Sequence, residues 1–115
     1  MSRRDDSVPM RHMLDHAREV VVMVHGRTRQ ELDTNRMFQL ALTRLIEIIG
    51  EAAARVTAAG QSRYNDIPWP KIVGTRNRIV HGYDTVDYDV VWDIATLEIP
   101  VLIAALERAL PGHVS

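Results

Sequence analysis

The chain contains no cysteine, so disulfide bonds and zinc sites built from thiolates are excluded. It also lacks an excess of either charge, because its formal net charge at pH 7 is -1. A broad, sequence-independent nucleic-acid-binding surface, which depends on many phosphate contacts, is therefore not expected. No apolar run approaches the ~20 residues of a membrane-spanning helix, and no signal-peptide segment opens the chain. These absences predict a cytoplasmic protein without a membrane association.

Lysine is almost absent as well, since Lys71 is the only lysine among the 14 basic residues. Arginine favours bidentate contacts with phosphate and carboxylate groups. A GC-rich genome produces the same bias, however, so the arginine content alone does not indicate a substrate.

What the chain does contain is sufficient for one hydrophobic core. Hydrophobic residues make up 46% of the 115 residues and charged residues 25%, which is typical of a folded domain. We therefore expect a single helical domain over residues 1–115, with flexible tails at 1–7 and 111–115.

Apolar side chains recur every three to four residues through most of the chain, which is the pattern of amphipathic helices. They predict four substantial helices and one short helical turn, over about 9–26, 28–31, 35–58, 68–81 and 88–109. No alternation typical of a strand persists, and short connections favour antiparallel neighbours. The predicted fold class is all-α, an up-and-down four-helix bundle with an additional short helix.

Several residues predict where these helices begin, end or bend. Asp33 or Thr34 can cap the central helix, and Asp87 can cap the last one. Gly82 is expected in the left-handed conformation that often ends a helix. Pro100 lies inside the last helix and predicts a kink or a break near Leu97.

The apolar stripe of the central helix is unusually broad. Such a stripe is typical of a helix at the centre of a bundle, or of one that is shared with a second chain. In the second case a monomer would expose an apolar patch, so a homodimer is expected.

The segment Arg76-Asn77-Arg78-Ile79-Val80-His81-Gly82-Tyr83 carries the residue types of a catalytic site. Arginine binds phosphate with a planar fork, and histidine exchanges a proton near neutral pH. Together they suit phosphodiester cleavage, in which a 2′-hydroxyl loses a proton while charge builds on the phosphate. We predict that Arg76 and His81 are catalytic, that Asn77 orients the histidine or the phosphate, and that Tyr83 lines the same cleft.

The spacing of the motif restricts how these residues can meet. On a continuous helix, Arg76 and His81 would be about 140° apart, whereas Asn77 and His81 would share a face. Either the helix unwinds near Gly82, or a two-fold dimer brings the motifs of two chains into one cleft. At a helix carboxyl terminus, His81 would also be favoured as a cation.

Other interpretations of the polar and aromatic residues remain open. The motif residues can be solvated residues that cap a helix end. His12 and His16 are spaced like a metal-binding pair, but no third ligand is evident, so no metal site is predicted. Trp69 and Trp92 could stack on bases, although their positions near helix starts fit packing better.

The motif, together with three further segments, resembles the HepT-like ribonuclease toxins of the HEPN superfamily. Residues 45–53 (LIEIIGEAA) are similar to the family's central helix, 67–74 (IPWPKIVG) to the segment before its motif, and 86–92 (VDYDVVW) to the start of its last helix. The resemblance spans almost the whole chain and implies a HEPN-like helical bundle.

The resemblance also implies a function and partners. Members of the family are homodimeric, metal-independent endoribonuclease toxins that need no cofactor, and each is paired with an MntA-type nucleotidyltransferase antitoxin. On this basis the substrate is RNA, with tRNA as the expected class. Arg76 and His81 are the implied catalytic residues and Asn77 supports them. Tyr83 matches the tyrosine that the antitoxin modifies with AMP.

Two rival interpretations accompany this one. The chain could be a non-catalytic HEPN protein that binds nucleotide or serves as the partner subunit of a nucleotidyltransferase. It could also be a structural bundle that only dimerises.

Overall fold

The computed structural model describes residues 5–82 and 85–111. Within these residues the predicted all-α fold class is confirmed, and a single short hairpin is the exception to it. The elements are α1 (Ser7–Val24), α2 (Glu31–Thr34), α3 (Arg36–Ala54), α4 (Ala58–Arg63), α5 (Trp69–Val73), α6 (Thr75–Ile79), β1 (Val80–His81), β2 (Thr85–Val86), α7 (Tyr88–Asp93), a π-helical segment (Ile94–Glu98) and α8 (Ile99–Ala109). No helix among the described residues is long and apolar enough to cross a membrane.

The core lies where α1 packs against both α3 and α8. The apolar stripes predicted for these helices supply its fully buried side chains, among them Met13, Leu14, Ala17, Leu42, Ile46 and Leu106. Burying a side chain of this size stabilises the fold by about 1.5–3 kcal/mol. Because α3 also contacts α5, α6 and α7, it supports the helix that carries Arg76 and Asn77 and the helices on either side of the hairpin.

The ends of α3 differ from those predicted. The capping residue is Asn35, whose side-chain oxygen accepts a hydrogen bond from the Phe38 amide at 3.0 Å, rather than Asp33 or Thr34. The helix ends at Ala54 instead of near residue 58. The reason lies in Thr57, which has an extended backbone and caps a new helix, α4, by accepting from the Gly60 amide. Residues 59–63, which lie beyond the predicted end of the central helix, are therefore helical.

Part of the expected amino-terminal tail is bound to this same cap. Asp6 accepts hydrogen bonds from the Thr57 amide at 2.9 Å and from the Thr57 hydroxyl at 2.6 Å. Residues 5–7 therefore belong to the folded structure. The other residues assigned to the tails, 1–4 and 112–115, lie outside the described residues.

The predicted helix over residues 68–81 is two short helices separated by Gly74. Their position depends on Gly50 in the middle of α3, because a Cβ atom at this position would lie 2.9 Å from the Ile72 carbonyl oxygen. The buried Thr75 hydroxyl donates a hydrogen bond to the same carbonyl group. The absence of a side chain at Gly50 thus allows the backbone before the motif to lie directly on α3.

The chain leaves the helical conformation after Ile79, so the prediction that this helix extends to His81 is wrong. Val80 pairs with Val86 and His81 with Thr85 in an antiparallel hairpin, for which β-branched residues are well suited. The expected left-handed cap at Gly82 is also wrong, because Gly26, at φ 74°, is the only glycine with a positive φ among the described residues. The Ile79 carbonyl at the helix end accepts a hydrogen bond from the Asp87 amide, directly after the hairpin, instead of from a glycine cap.

The break predicted near Leu97 is confirmed as the π-helical segment between α7 and α8. The Ile99 amide bonds to the Ile94 carbonyl, five residues back. Pro100 has no amide hydrogen with which to continue a regular α-helix, and the wider turn accommodates this missing donor. α7, the π segment and α8 therefore follow one another without a gap, but the helical repeat of the side chains shifts at the π segment.

We predict that Gly50→Ala destabilises the protein although alanine favours helices. Overpacking against the Ile72 carbonyl costs about 1–3 kcal/mol, which exceeds the gain of about 1 kcal/mol from helix propensity. Urea denaturation would measure the change in the free energy of unfolding. Gly82→Ala is the matched control, because, apart from its chain neighbours, no described residue has an atom within 4 Å of a Cβ at that position. Equal stability of Gly50→Ala and the wild type would contradict the close approach.

Candidate active site

Two neighbouring elements carry the candidate catalytic residues. Arg76 and Asn77 lie on α6, and His81 lies on β1 immediately after it. All three side chains belong to exposed residues. Neither the Arg76 nor the Asn77 side chain makes a hydrogen bond or an ion pair with another described residue, and both residues are exposed to solvent.

Among the described residues, no hydrogen bond joins the side chains of Arg76 and His81, which lie on α6 and β1. Asn77 and His81 were expected to share one face of a continuous helix. They do not, because α6 ends at Ile79. The first of the two predicted arrangements was an unwinding of the helix near Gly82. The chain does leave the helix, but after Ile79, two residues before the predicted helix end at His81. Tyr83 lies outside the described residues.

Arg78, the second arginine of the motif, is committed to a structural ion pair. Its guanidinium donates two hydrogen bonds to Glu98 on the π segment, at 2.9 and 2.6 Å. Lys71 Nζ lies 3.5 Å from the same carboxylate. The hydrogen bonds raise the pKa of Arg78 above its ordinary value, and the same contact, opposed by partial burial, lowers the pKa of Glu98. This pair therefore ties α6 to the last helix.

His81 has an acidic neighbour instead of a helix end. Its Nε2 atom lies 3.4 Å from Oδ2 of Asp87, and the two side chains are 60% and 35% exposed. The prediction that His81 lies at a helix carboxyl terminus is thus wrong, because His81 belongs to a strand. The predicted cap at Asp87 is confirmed, since its Oδ1 accepts from the amides of Asp89 and Val90 at 3.1 and 3.2 Å. That this carboxylate also faces the histidine was not predicted from the sequence.

An apolar groove of about 220 Å³ opens beside the motif, between α5 and α6 on one side and the π segment and α8 on the other. Arg78 and Glu98 lie in its wall, together with Leu97 and Val101. Arg76 and His81 do not line it. The candidate catalytic residues are consequently on an open surface of the single chain.

The remaining polar and aromatic candidates have structural roles. Trp69 is buried and donates its indole N–H to the Tyr64 carbonyl at 3.0 Å. His12 Nδ1 lies 3.5 Å from the Arg55 guanidinium. Among the described residues, no group of three or more acidic or histidine side chains is arranged to hold a metal ion.

An exposed guanidinium on a short helix and an exposed imidazole on the strand that follows it form a site suited to acting on a phosphodiester. Comparison with known proteins agrees with this class of site. Residues 13–109 match the family model described as "Ribonuclease HepT-like". The chain therefore belongs to the HepT-like ribonuclease family, as the motif predicted, and by class it is an endoribonuclease.

The chain is also similar to curated relatives over most of their length. "Putative RNase MJ1380" of Methanocaldococcus jannaschii is 31% identical over 100 residues, which cover 87% of this chain and 92% of that protein. "Putative RNase MJ1216" of the same organism is 27% identical over 110 residues, or 96% and 91% of the two chains. "Probable ribonuclease HepT" of Thermococcus cleftensis is 27% identical over 99 residues, or 83% and 90%. No solved structure matches the chain.

We predict that Glu98→Gln destabilises the protein in a pH-dependent manner. Because contact with Arg78 holds the pKa of Glu98 below its ordinary value of 4.5, the ionised form stabilises the fold above that value. The contribution disappears as the pH falls through the lowered pKa. The variant should therefore lose about 1–2 kcal/mol at pH 7 and differ little from the wild type once Glu98 is protonated.

Denaturant melts at a series of pH values would measure this difference. Glu51→Gln is a suitable control, because the Arg44–Glu51 pair is exposed, with side-chain accessibilities of 57% and 55%. Its loss should change stability by less than about 0.5 kcal/mol. A pH-independent effect of Glu98→Gln would contradict the assignment.

Proposed function

We propose that this protein is the toxin of a HepT/MntA-type toxin–antitoxin system, a type VII-like arrangement. In this proposal it is a metal-independent endoribonuclease that acts in the cytoplasm on RNA, with tRNA as the substrate class. The observation that carries the proposal is the exposure of Arg76 and His81 on consecutive elements of a HepT-like ribonuclease. The cysteine-free composition supports the cytoplasmic location.

The proposed reaction needs a base, a proton donor and a phosphate-binding cation. His81 accepts the proton of a ribose 2′-hydroxyl, and the 2′-oxygen attacks the adjacent phosphorus. Arg76 stabilises the charge that builds on the non-bridging oxygens, and Asn77 supports it by donating its amide N–H groups to the phosphate. The bond to the 5′-oxygen breaks, that oxygen takes up a proton from water, and a 2′,3′-cyclic phosphate remains. His81 then returns the proton of the 2′-hydroxyl to solvent.

The reaction requires no metal ion to activate water. The 2′-hydroxyl is an internal nucleophile, already held beside the phosphorus at a high effective concentration. A proton acceptor and a fixed positive charge are then the two functions that the protein must supply.

We propose that the working site is formed by two chains. Among the described residues of one chain, no hydrogen bond joins the side chains of Arg76 and His81, and both residues are exposed. In this proposal a second copy closes a cleft around the RNA. Apolar side chains exposed at Met37 (81%), Leu97 (66%) and Val101 (68%) support such an interface. Surface apolar groups of this size are usually covered by a partner when they cluster.

The proposed regulation acts through Tyr83. This residue follows His81 by two positions, so an AMP group on its hydroxyl adds bulk and a negative phosphate next to the imidazole. The added charge repels an incoming RNA phosphate, and the nucleotide occludes the cleft. An MntA-like nucleotidyltransferase is the proposed antitoxin that transfers the AMP.

We predict that purified wild-type protein cleaves total tRNA in EDTA and leaves 2′,3′-cyclic phosphate ends. His81→Ala should lower the rate by about 10²–10⁴-fold, because the proton acceptor is lost. Gel electrophoresis and end-group analysis of the products would measure both. Arg36→Ala is a matched control, because Arg36 is an exposed arginine of α3 outside the motif.

Two results would exclude this proposal. If His81→Ala retained full activity with the same cyclic ends, His81 would not be catalytic. If unmodified wild-type protein bound nucleotide but cleaved no RNA, the non-catalytic partner subunit would be the better description.

We predict that the two inactive variants restore activity when they are mixed. In a composite site, an Arg76→Ala chain still supplies His81, and a His81→Ala chain still supplies Arg76. A random mixture of dimers would then contain intact sites at about one quarter of the wild-type number. The rate of tRNA cleavage after co-refolding measures this recovery.

A site formed within one chain would give no recovery in the mixture. The same holds for a protein that light scattering shows to be monomeric at the assay concentration. Either result would refute the composite site while leaving the proposed reaction intact.

A further inference from the structure

The Asp87 carboxylate connects two features of the structure that the sequence suggested separately. Its Oδ1 accepts hydrogen bonds from the first amides of α7, at Asp89 and Val90. Its Oδ2 faces Nε2 of His81 at 3.4 Å. One oxygen is thus occupied by the helix cap, and the other is directed at the imidazole.

The backbone of Asp87 is fixed as well. Its amide donates to the Ile79 carbonyl at 2.7 Å, and the preceding residue, Val86, pairs with Val80 in the hairpin. The carboxylate is therefore anchored through the main chain to the end of α6 and through Oδ1 to the start of α7. An acceptor held at both ends has little freedom to move away from His81.

The chemistry of this contact determines which nitrogen of His81 carries a proton. An ionised carboxylate only accepts hydrogen bonds, so the nitrogen that faces it is favoured as N–H. The neutral ring then has its proton on Nε2 and a free lone pair on Nδ1. Nδ1 is consequently the atom available to accept a proton from a substrate.

We propose that Asp87 is a positioning residue, which holds His81 in the Nε2–H form and directs Nδ1 towards the 2′-hydroxyl of the RNA. This inference rests on the proposed function, because His81 must be the proton acceptor for the orientation to matter. The distance of 3.4 Å is longer than that of a well-formed hydrogen bond. Such contacts often tighten when the substrate binds.

The test uses substitutions that separate the helix cap from the contact with His81. Serine caps helices as well as aspartate does, but its shorter side chain cannot reach the imidazole. Asp87→Ser should therefore keep the thermal midpoint of the wild type. We expect kcat for tRNA cleavage to fall about 10- to 100-fold, as for other residues that orient a catalytic group, with KM changed less than about threefold.

A second measurement reports on His81 without reference to activity. The ¹⁵N chemical shifts of the neutral imidazole, recorded at alkaline pH, distinguish the Nε2–H from the Nδ1–H tautomer. We expect mainly Nε2–H in the wild type and a mixture of the two in Asp87→Ser. The difference spectrum against His81→Gln would identify the signals of His81.

Asp89→Ser is the matched control. Asp89 is a neighbouring carboxylate, 82% exposed, that pairs with Arg29 instead of His81. Its substitution should change neither kcat nor the tautomer. Asparagine also caps helices and is closer in shape to aspartate than serine is. Asp87→Asn therefore replaces Asp87→Ser if the serine variant loses its thermal stability.

The possible outcomes are distinct. An unchanged tautomer and an unchanged kcat in the Asp87 variants would overturn the inference, even if the wild type cleaves RNA. A wild type that cleaves no RNA would refute the proposed function, while the tautomer would still show whether Asp87 holds His81. A lower kcat together with a mixed tautomer would support both.

Discussion

The hydrogen bond from the Asp87 amide to the Ile79 carbonyl fixes the geometry on which the candidate site depends. At 2.7 Å it joins the last residue of α6 to the residue that caps α7. The chain between them must reverse direction, and the Val80–Val86 and His81–Thr85 pairs form that reversal. His81 is therefore held on a strand between two helix ends, in a position that a continued helix would not give it.

In this geometry the two arginines of the motif differ in their surroundings: Arg78 is bound to Glu98, and Arg76 is exposed to solvent. Arg78 is fully engaged with Glu98, while Arg76 has no ion pair among the described residues. A guanidinium that already donates two hydrogen bonds to a carboxylate has little attraction left for a phosphate. The exposed Arg76 thus remains the proposed phosphate-binding group of α6, and Arg78 ties that helix to the π segment.

The sequence predicted the features of the fold that depend on local chemistry. The stripe of α1, the cap at Asp87 and the break caused by Pro100 each follow from one residue or one periodic pattern, and all are present. The errors involve competition between local and distant groups. The cap at Thr57 is strengthened by Asp6, 51 positions earlier in the chain, and Gly82 lies in a hairpin whose second strand lies beyond it.

The candidate site was predictable in its residue types but not in its arrangement. The motif identified Arg76, Asn77 and His81, because their chemistry is legible in eight consecutive residues. The contact between His81 and Asp87 was not legible, because it requires the helix to end at Ile79. From its position before an apolar stripe, Asp87 was predicted only to cap a helix. The sequence does not show that the second oxygen of its carboxylate faces His81.

The low net charge and the open position of the motif together restrict how such a protein can hold RNA. Affinity from phosphate contacts increases with the number of cations that face the backbone, and the formal net charge is -1. A single exposed arginine beside one histidine provides too few contacts for strong binding to an extended strand. Selectivity must then come from the shape of a cleft, and a cleft requires a second wall. Because the single chain leaves Arg76 and His81 on an open surface, a second copy that closed the cleft, as proposed, would also bring a second set of these residues to the RNA.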